Sequence, residues 1–139
     1  MKRKYEFTGE IMECMGITLH RIRAVRDFGD VKAGDLGGWI EKESNLSHDG
    51  DAWVYGDAEV YGRKHILWIS MIGSRDDTVT FMRAKDEKII VAVGCFGGTI
   101  DEFEKAVEET HGDNEHGKAY RLAIELAKLR IDLDKEETK

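Results

Sequence analysis

The chain has 139 residues, which is the length of one domain and leaves little for a second hydrophobic core. Its formal net charge of −7 argues against general binding to DNA or RNA polymers, because that activity needs a surplus of cations to neutralise phosphates. No apolar stretch has the length of a signal-peptide core or a membrane span, so the sequence predicts a cytoplasmic protein without a membrane partner.

The two cysteines, Cys14 and Cys95, are far apart and have no second cysteine or histidine at metal-ligand spacing. A structural zinc site is therefore not expected, and no other metal or cofactor is predicted. Reduced, partly buried thiols are the simpler interpretation of both residues.

Residues 1–97 are predicted to be mainly β-structure. Short runs of β-branched and aromatic side chains, bounded by glycine and aspartate, predict strands at residues 17–25, 53–61, 65–72, 79–82 and 89–93. The run at residues 66–72 is apolar on both faces, which predicts a central strand that is covered on both sides.

Residues 45–62 contain three six-residue repeats, NLSHDG, DAWVYG and DAEVYG. The second residue of each hexad is Leu46, Ala52 or Ala58, and the fourth is His48, Val54 or Val60. A six-residue period suggests the parallel β-helix of hexapeptide acyltransferases. Three hexads form about one coil, whereas solenoids need roughly three stacked units, so that architecture would require trimerisation.

After residue 98 the apolar period becomes helical, and two helices are predicted before a flexible tail at residues 134–139. Thr99 and Glu102 form a capping box, Gly112 is placed to end the first helix, and Asp113 or Asn114 precedes the second. The sequence therefore predicts a single α+β domain, with an antiparallel sheet or sandwich core followed by two C-terminal helices.

The second predicted helix has two apolar stripes on roughly opposite sides. One stripe consists of Leu122, Leu126, Leu129 and Leu133, and the other of Tyr120, Ile124, Ala127 and Ile131. A helix that is apolar on both sides must be covered twice, which favours a homo-oligomer with contacts along this helix. The alternative is a helix clasped between the sheet and the first helix.

Two groups of residues on the predicted strands are candidates for ligand binding. Arg21 and Arg23 share one strand face, with Arg26 on the other, and arginine suits phosphate because its planar fork donates hydrogen bonds in pairs. Solvated surface arginines are the alternative. Phe81 and Arg83 share a face at positions i and i+2, where they could stack a purine and contact a phosphate or ribose, or form a core ring beside an exposed cation.

The break between the helices supplies further candidates, His111, Asp113 and Asn114. Helix capping is the favoured interpretation over metal binding, although capping side chains can still bond a ligand. The glycine turn at residues 94–98 matches neither GxxxxGK[ST] nor GxGxxG, so an ordinary strand-to-helix turn is favoured. No nucleophile is placed beside an evident base, and an enzyme is not predicted.

Five segments of the chain resemble the phage Thoeris anti-defence family, whose members are cyclic ADP-ribose sponges. The segments are TVTFMR (78–83), VGCF (93–96), TIDEFE (99–104), ETHGDN (109–114) and AIELAK (123–128). The N-terminal segments YEFTG (5–9) and GDLGGW (34–39) and the hexads are similar to many prophage-encoded proteins of unassigned role.

The resemblance implies a β-sandwich-like core with two C-terminal helices, assembled as dimers or as trimers of dimers. It implies an immune-evasion protein in the cytoplasm of the infected bacterium that binds glycocyclic ADP-ribose without cleaving it, with cyclic oligonucleotides as a second ligand class. The family's pocket lies between protomers. By this resemblance, Phe81 is expected to stack on the base, and Arg23 or Arg26 to bind the phosphates. The turn at residues 111–114 is expected to contribute to the pocket of the partner subunit.

Two functions from other classes stay open on the sequence. One is a structural or interaction module of a prophage, related to the hexad-repeat proteins. The other is a hexapeptide-type acyltransferase, which would need to bind acetyl-CoA as a trimer.

Overall fold

The computed structural model describes residues 3–14, 16–94 and 96–133, which form two four-stranded sheets and two helices. The fold is α+β, as the sequence predicts, and its strands pair antiparallel except for one parallel pair in the first sheet. The predictions for the Cys95 thiol and for a tail at residues 134–139 lie outside the described residues.

The first sheet has the strand order β1-β2-β3-β4. Its strands are β1 (Tyr5–Cys14), β2 (Ile17–Ala24), β3 (Leu36–Ile40) and β4 (Glu59–Val60). The β1–β2 hairpin contains a bulge between Phe7 and Ile11, where Gly9 takes a φ of +100° that other residues rarely adopt. The bulge bends the longest strand of the sheet.

The hexads connect β3 to β4 as a coil rather than as a strand. Of the strand predicted at residues 53–61, only β4 forms, and the preceding segment bonds β3 irregularly, with the amides of Gly38 and Trp39 donating to the carbonyls of Val54 and Ala58. The inward positions are all but inaccessible to solvent: Leu46, Ala52, Val54, Ala58 and Val60. Of the six side chains at the second and fourth hexad positions, His48 alone is half-buried.

The second sheet has the order β5-β6-β7-β8, and its strands are β5 (Ile66–Ile72), β6 (Asp77–Ala84), β7 (Lys88–Val93) and β8 (Phe96–Thr99). The prediction that residues 66–72 form a central strand is wrong. They form an edge strand, because β5 is the first strand of a meander and only β6 pairs with it. Met71 is 73% exposed, and the strand buried on both faces is β6.

Both helices begin at the predicted caps. In α1 (Ile100–Thr110), the Thr99 hydroxyl accepts from the Glu102 amide at 3.2 Å, while the Glu102 carboxylate accepts from the Thr99 amide at 2.8 Å. Gly112 follows with a φ of +55°, and its amide donates to the last carbonyls of α1. In α2 (Glu115–Arg130), the Asn114 carbonyl Oδ1 accepts from the Gly117 amide at 2.9 Å.

The second sheet lies between two hydrophobic cores, so the expectation that this length leaves little for a second core is wrong. On one face, Val79 and Phe81 of β6 pack with residues of α1 and α2. On the other face, Met82 packs against the hexad coil and the first sheet, and the Thr80 hydroxyl accepts from the Trp53 amide. The molecule therefore has three layers, which are the first sheet with the hexad coil, the second sheet, and the helices.

The two apolar stripes of α2 have different environments. Tyr120, Ile124, Ala127 and Ile131 are buried in the helix-side core. Leu122, Leu126 and Leu129 are exposed, so the alternative in which the sheet and α1 clasp both sides of the helix is wrong. Within the described ranges, no helix combines the length and the apolarity that crossing a membrane requires.

Candidate ligand-binding groove

Phe81 and Arg83 do not form an accessible pair. The Phe81 ring is 0% exposed and packs edge-on against the Phe103 ring, at 6.3 Å between centroids. Arg83 is 5% exposed, and its Nη1 lies 3.1 Å from the Glu59 carboxylate, with the guanidinium over the Tyr61 ring. Phe81 is thus a core ring, and Arg83 is a buried ion-pair partner rather than an exposed cation.

The three predicted phosphate-binding arginines lie in or beside the first sheet and bond groups of their own chain. Arg23 pairs with Glu6 at 2.6 Å. Arg21 donates to the Gly37 carbonyl at 3.2 Å, and Arg26 donates to the His48 carbonyl at 2.9 Å. The structure does not bring them together with Phe81, which belongs to the second sheet.

The residues of the break between the helices have separate roles. Asn114 caps α2, and the Asp113 carboxylate accepts from Arg121 at 3.2 Å, so both stabilise the turn. His111 instead lies against Tyr120, with 5.8 Å between ring centroids and an interplanar angle of 27°. Of the predicted ligand-binding residues, His111 is the one that lines any of the three cavities described below.

That cavity, the helix-side pocket, has a volume of about 300 Å³. Its polar and aromatic lining consists of Ser74, Arg75, Asp77, Phe96, Phe103, Thr110, His111 and Tyr120. The aromatic rings form an apolar floor, since Phe103 packs against both Phe96 and Tyr120, at 5.4 Å and 5.3 Å between centroids. Arg75, 65% exposed in its side chain, and His111 supply polar groups at the rim.

The Tyr120 hydroxyl reaches the turn that carries Arg75. A Cβ at Gly73 would overlap this hydroxyl, so the glycine allows the close approach. Burial raises the pKa of Tyr120, and the nearby Asp77 carboxylate adds to the effect, so the hydroxyl stays protonated at neutral pH.

A second cavity, the sheet-side cavity, adjoins the helix-side pocket and measures about 510 Å³. The two cavities share Asp77, Val93, Gly94 and Phe96, and together they form the candidate groove. Four carboxylates line the sheet-side cavity, those of Asp30, Asp35, Asp51 and Asp77, together with Trp53, Tyr55 and Thr80. Arg75 lies at the junction, with its guanidinium nitrogens 3.7 Å from Asp30 and 4.0 Å from Asp77.

Sequence reasoning missed Arg75, Tyr120 and the four aspartates. Arg75 lies in a polar turn that begins at Gly73, and a polar turn after an apolar run is a signal for a functional loop. The aspartates are distributed over residues 30–77, so only the fold places them around one cavity.

A third cavity, the hexad-side pocket, measures about 680 Å³ and includes His48 and Glu43. The His48 Nδ1 accepts from the Lys4 amide at 2.9 Å, so Nε2 carries the proton that it shares with Glu43 at 2.8 Å. The hydrogen bond from His48 is the main cause of a lowered pKa at Glu43. Both ring nitrogens are occupied, and the histidine is not free to act as a base.

Comparison with known proteins yields one partial similarity. The Escherichia coli K12 protein YdcK, described as an uncharacterized acetyltransferase, is 36% identical over 63 residues, covering 40% of this chain and 19% of YdcK. The chain thus spans about a fifth of the length of this curated relative. No family model matches the chain, and no solved structure matches it.

Proposed function

We propose that the protein is a non-enzymatic sponge that binds a cyclic nucleotide immune signal, glycocyclic ADP-ribose, and withholds it from its effector in the cytoplasm of an infected bacterium. The proposal rests on the resemblance of the C-terminal half to the phage Thoeris anti-defence family, together with the helix-side pocket. That pocket combines an aromatic floor with Arg75 and His111 at its rim, which is the combination that a base and a pyrophosphate require.

The charges around the groove favour one orientation of such a ligand. The pyrophosphate would lie beside Arg75 and His111 in the helix-side pocket, because three of the four aspartates, Asp30, Asp35 and Asp51, line only the sheet-side cavity and repel an anion there. Arg75 makes only long contacts with Asp30 and Asp77, at 3.7 Å and 4.0 Å, and its side chain can turn towards a phosphate at small cost.

The proposal includes a homo-oligomer. The exposed leucines of α2 lie on the side of the helix opposite the core, and a row of three apolar side chains in water is typical of a surface that a second subunit covers. The helix-side pocket alone is small for a dinucleotide, at about 300 Å³, and residues of a partner subunit would enclose the ligand further.

Capture and release of the ligand test the sponge directly. The protein is incubated with the product of a TIR enzyme, filtered to remove free nucleotide, and denatured by heat. Recovery of intact nucleotide is the expected result, and a degraded product or no capture would overturn the proposal. We expect Arg75→Met to weaken capture at least tenfold, while Arg63→Met, an exposed arginine outside the groove, leaves it unchanged.

Oligomeric state is a separate test, by light scattering coupled to gel filtration. We expect the wild-type protein to elute as a dimer or a hexamer, and Leu122→Glu with Leu129→Glu to elute as a folded monomer with a thermal midpoint no higher than that of the wild type. Ile11→Glu, an exposed apolar residue of the first sheet, is the matched control. A monomeric wild-type protein would refute the oligomer.

The hexad coil supports a second candidate, an interaction module related to hexad-repeat proteins. Its inward side chains are fully buried, so the coil is a folded unit that could stack on a similar coil. This candidate predicts no thermal stabilisation by any cyclic nucleotide. The acyltransferase alternative has the name of YdcK in its favour, but His48, the histidine of the hexads, has both ring nitrogens occupied.

A further inference from the structure

The helix-side pocket contains a buried hydroxyl group that the fold does not use. Tyr120 is 7% exposed, and its ring contacts Phe103 edge-on at 5.3 Å and lies against His111 at 5.8 Å, measured between centroids. The Tyr120 hydroxyl makes no hydrogen bond with any residue that the structure describes. Burying a hydroxyl group without a partner costs free energy, so a partner from a bound molecule would explain its position.

Gly73 fixes where this hydroxyl lies. A Cβ at Gly73 would overlap the Tyr120 Oη, so the hydroxyl rests on the backbone of the turn that Gly73 begins. A hydrogen bond from the Asp76 amide to the Gly73 carbonyl, at 3.2 Å, closes the turn and leaves Ser74 and Arg75 at its two central positions. Ser74, Arg75 and Tyr120 all line the helix-side pocket. The hydroxyl therefore belongs to the end of the pocket that the turn forms.

The other two polar side chains of this end also lack close partners. The Ser74 hydroxyl makes no hydrogen bond with the described residues. The Arg75 guanidinium nitrogens lie 3.7 Å from Asp30 and 4.0 Å from Asp77, which exceeds the length of a hydrogen bond. Arginine can only donate, and both hydroxyls can donate. One end of the pocket thus presents three donor groups that the fold leaves available.

We propose that Ser74, Arg75 and Tyr120 form a subsite for one phosphoryl group, with the Tyr120 hydroxyl as its buried donor. A phosphoryl group offers three acceptor oxygens and a negative charge, which match two hydroxyl donors and a guanidinium. Asp77 lines the same end, so the hydrogen bonds rather than the net charge select the ligand. An ammonium group would be repelled by Arg75.

The subsite rests on the proposed function only for the identity of the ligand, in which it would hold one half of the pyrophosphate. The same chemistry fits free inorganic pyrophosphate. Calorimetric titration of the intact protein with inorganic pyrophosphate, cyclic ADP-ribose and adenosine separates the two sources. Binding of cyclic ADP-ribose without pyrophosphate identifies the nucleotide, and binding of pyrophosphate without the nucleotide identifies a site for free phosphate compounds.

The decisive variant is Tyr120→Phe, which removes only the hydroxyl. We expect it to weaken the binding of whichever phosphoryl compound the wild type binds at least fivefold, and to leave any binding of adenosine unchanged. Its thermal midpoint should be no lower than that of the wild type, because the hydroxyl has no partner in the fold. Ser74→Ala should weaken the same binding at least threefold. Tyr55→Phe is the matched control, since Tyr55 lines the sheet-side cavity and not the helix-side pocket.

The outcomes distinguish failure of the subsite from failure of the sponge. Pyrophosphate binding that depends on Tyr120, without capture of the TIR product, supports the subsite and rejects the sponge. Cyclic ADP-ribose that binds equally tightly to the wild type and to Tyr120→Phe overturns the subsite and leaves the sponge intact. A lower thermal midpoint in Tyr120→Phe, or a wild type that binds neither phosphoryl compound, also overturns the subsite.

Discussion

The first sheet with its hexad coil and the second sheet with its helices use polar side chains in different ways. In the first region, buried polar side chains bond groups of the protein itself. Lys4 is fully buried and donates to the Ala52 carbonyl at 2.7 Å, and His48 uses both ring nitrogens. In the second region, the interior contains mainly apolar and aromatic residues, and polar groups such as Arg75 and His111 stay at its rim.

The difference follows from how each region closes its backbone. A coil of short repeats cannot pair all of its peptide groups in a ladder, so side chains such as those of Lys4 and Tyr5 bond the free carbonyls. A meander with two capped helices pairs its backbone groups internally. A buried polar residue in the first region is therefore a poor guide to function, and a polar residue at the rim of a cavity is a better one.

The largest effect that sharpens this comparison is expected at Phe81. Because the ring is fully buried, Phe81→Ala should lower the free energy of unfolding by about 3–5 kcal/mol. Urea denaturation measures the change, and Phe96→Ala, at the half-buried rim, should cost clearly less. A loss below about 1 kcal/mol for Phe81→Ala would mean that the ring is accessible, as a ligand-stacking role requires.

The buried Arg83–Glu59 pair should give the next effect. Arg83→Met leaves the Glu59 carboxylate without its cation, and we expect the free energy of unfolding to fall by about 3 kcal/mol. This is at the lower end for buried ion pairs, because the Cys14 thiol still donates to Glu59 at 3.5 Å. The matched change at the exposed Arg23–Glu6 pair, Arg23→Met, should cost at most about 1 kcal/mol. Equal losses in urea denaturation would contradict the difference in burial.

The smallest effect concerns the pH dependence of stability in the first region. Burial lowers the pKa of Lys4 to about 8 from its ordinary 10.5, so between these values the unfolded chain holds a proton that the folded chain has released. The free energy of unfolding should therefore gain a rising contribution from Lys4 as pH increases from about 8 to 10.

Above pH 10 the contribution of Tyr5 opposes that of Lys4. Burial raises the pKa of Tyr5, so the unfolded chain ionises first and stability falls. Thermal midpoints at pH 8, 9 and 10 measure the rise. We expect Lys4→Met to remove it and Lys85→Met, at an exposed lysine, to retain it. An unchanged slope in Lys4→Met would contradict the assignment.

Local patterns predicted the helices and their caps, because each of these depends on residues a few positions apart. The position of β5 was not predictable in the same way. An apolar run such as residues 66–72 indicates a strand, but whether the strand is central depends on which other strands pair with it. The i and i+2 spacing of Phe81 and Arg83 predicted that they share a strand face, but it could not predict whether other elements of the fold cover that face.

The candidate groove was predicted only at His111. Arg75, Tyr120, Trp53 and the aspartates come from different elements, and their proximity is a property of the assembled layers. The sequence marks each residue as polar or aromatic, and it contains no local signal for the distances between them.

The exposed edge strand β5 has a bearing on solubility. An open edge with apolar side chains invites pairing with the edge of another molecule and thereby aggregation. This chain has no proline to interrupt such a strand. Instead, the pairing register shifts between Ile69 and Ile72, and Met71 takes a left-handed φ of 59°, so the free backbone groups do not form a straight row. The irregular end of β5 thus lets the protein keep an apolar edge without offering a template for fibre growth.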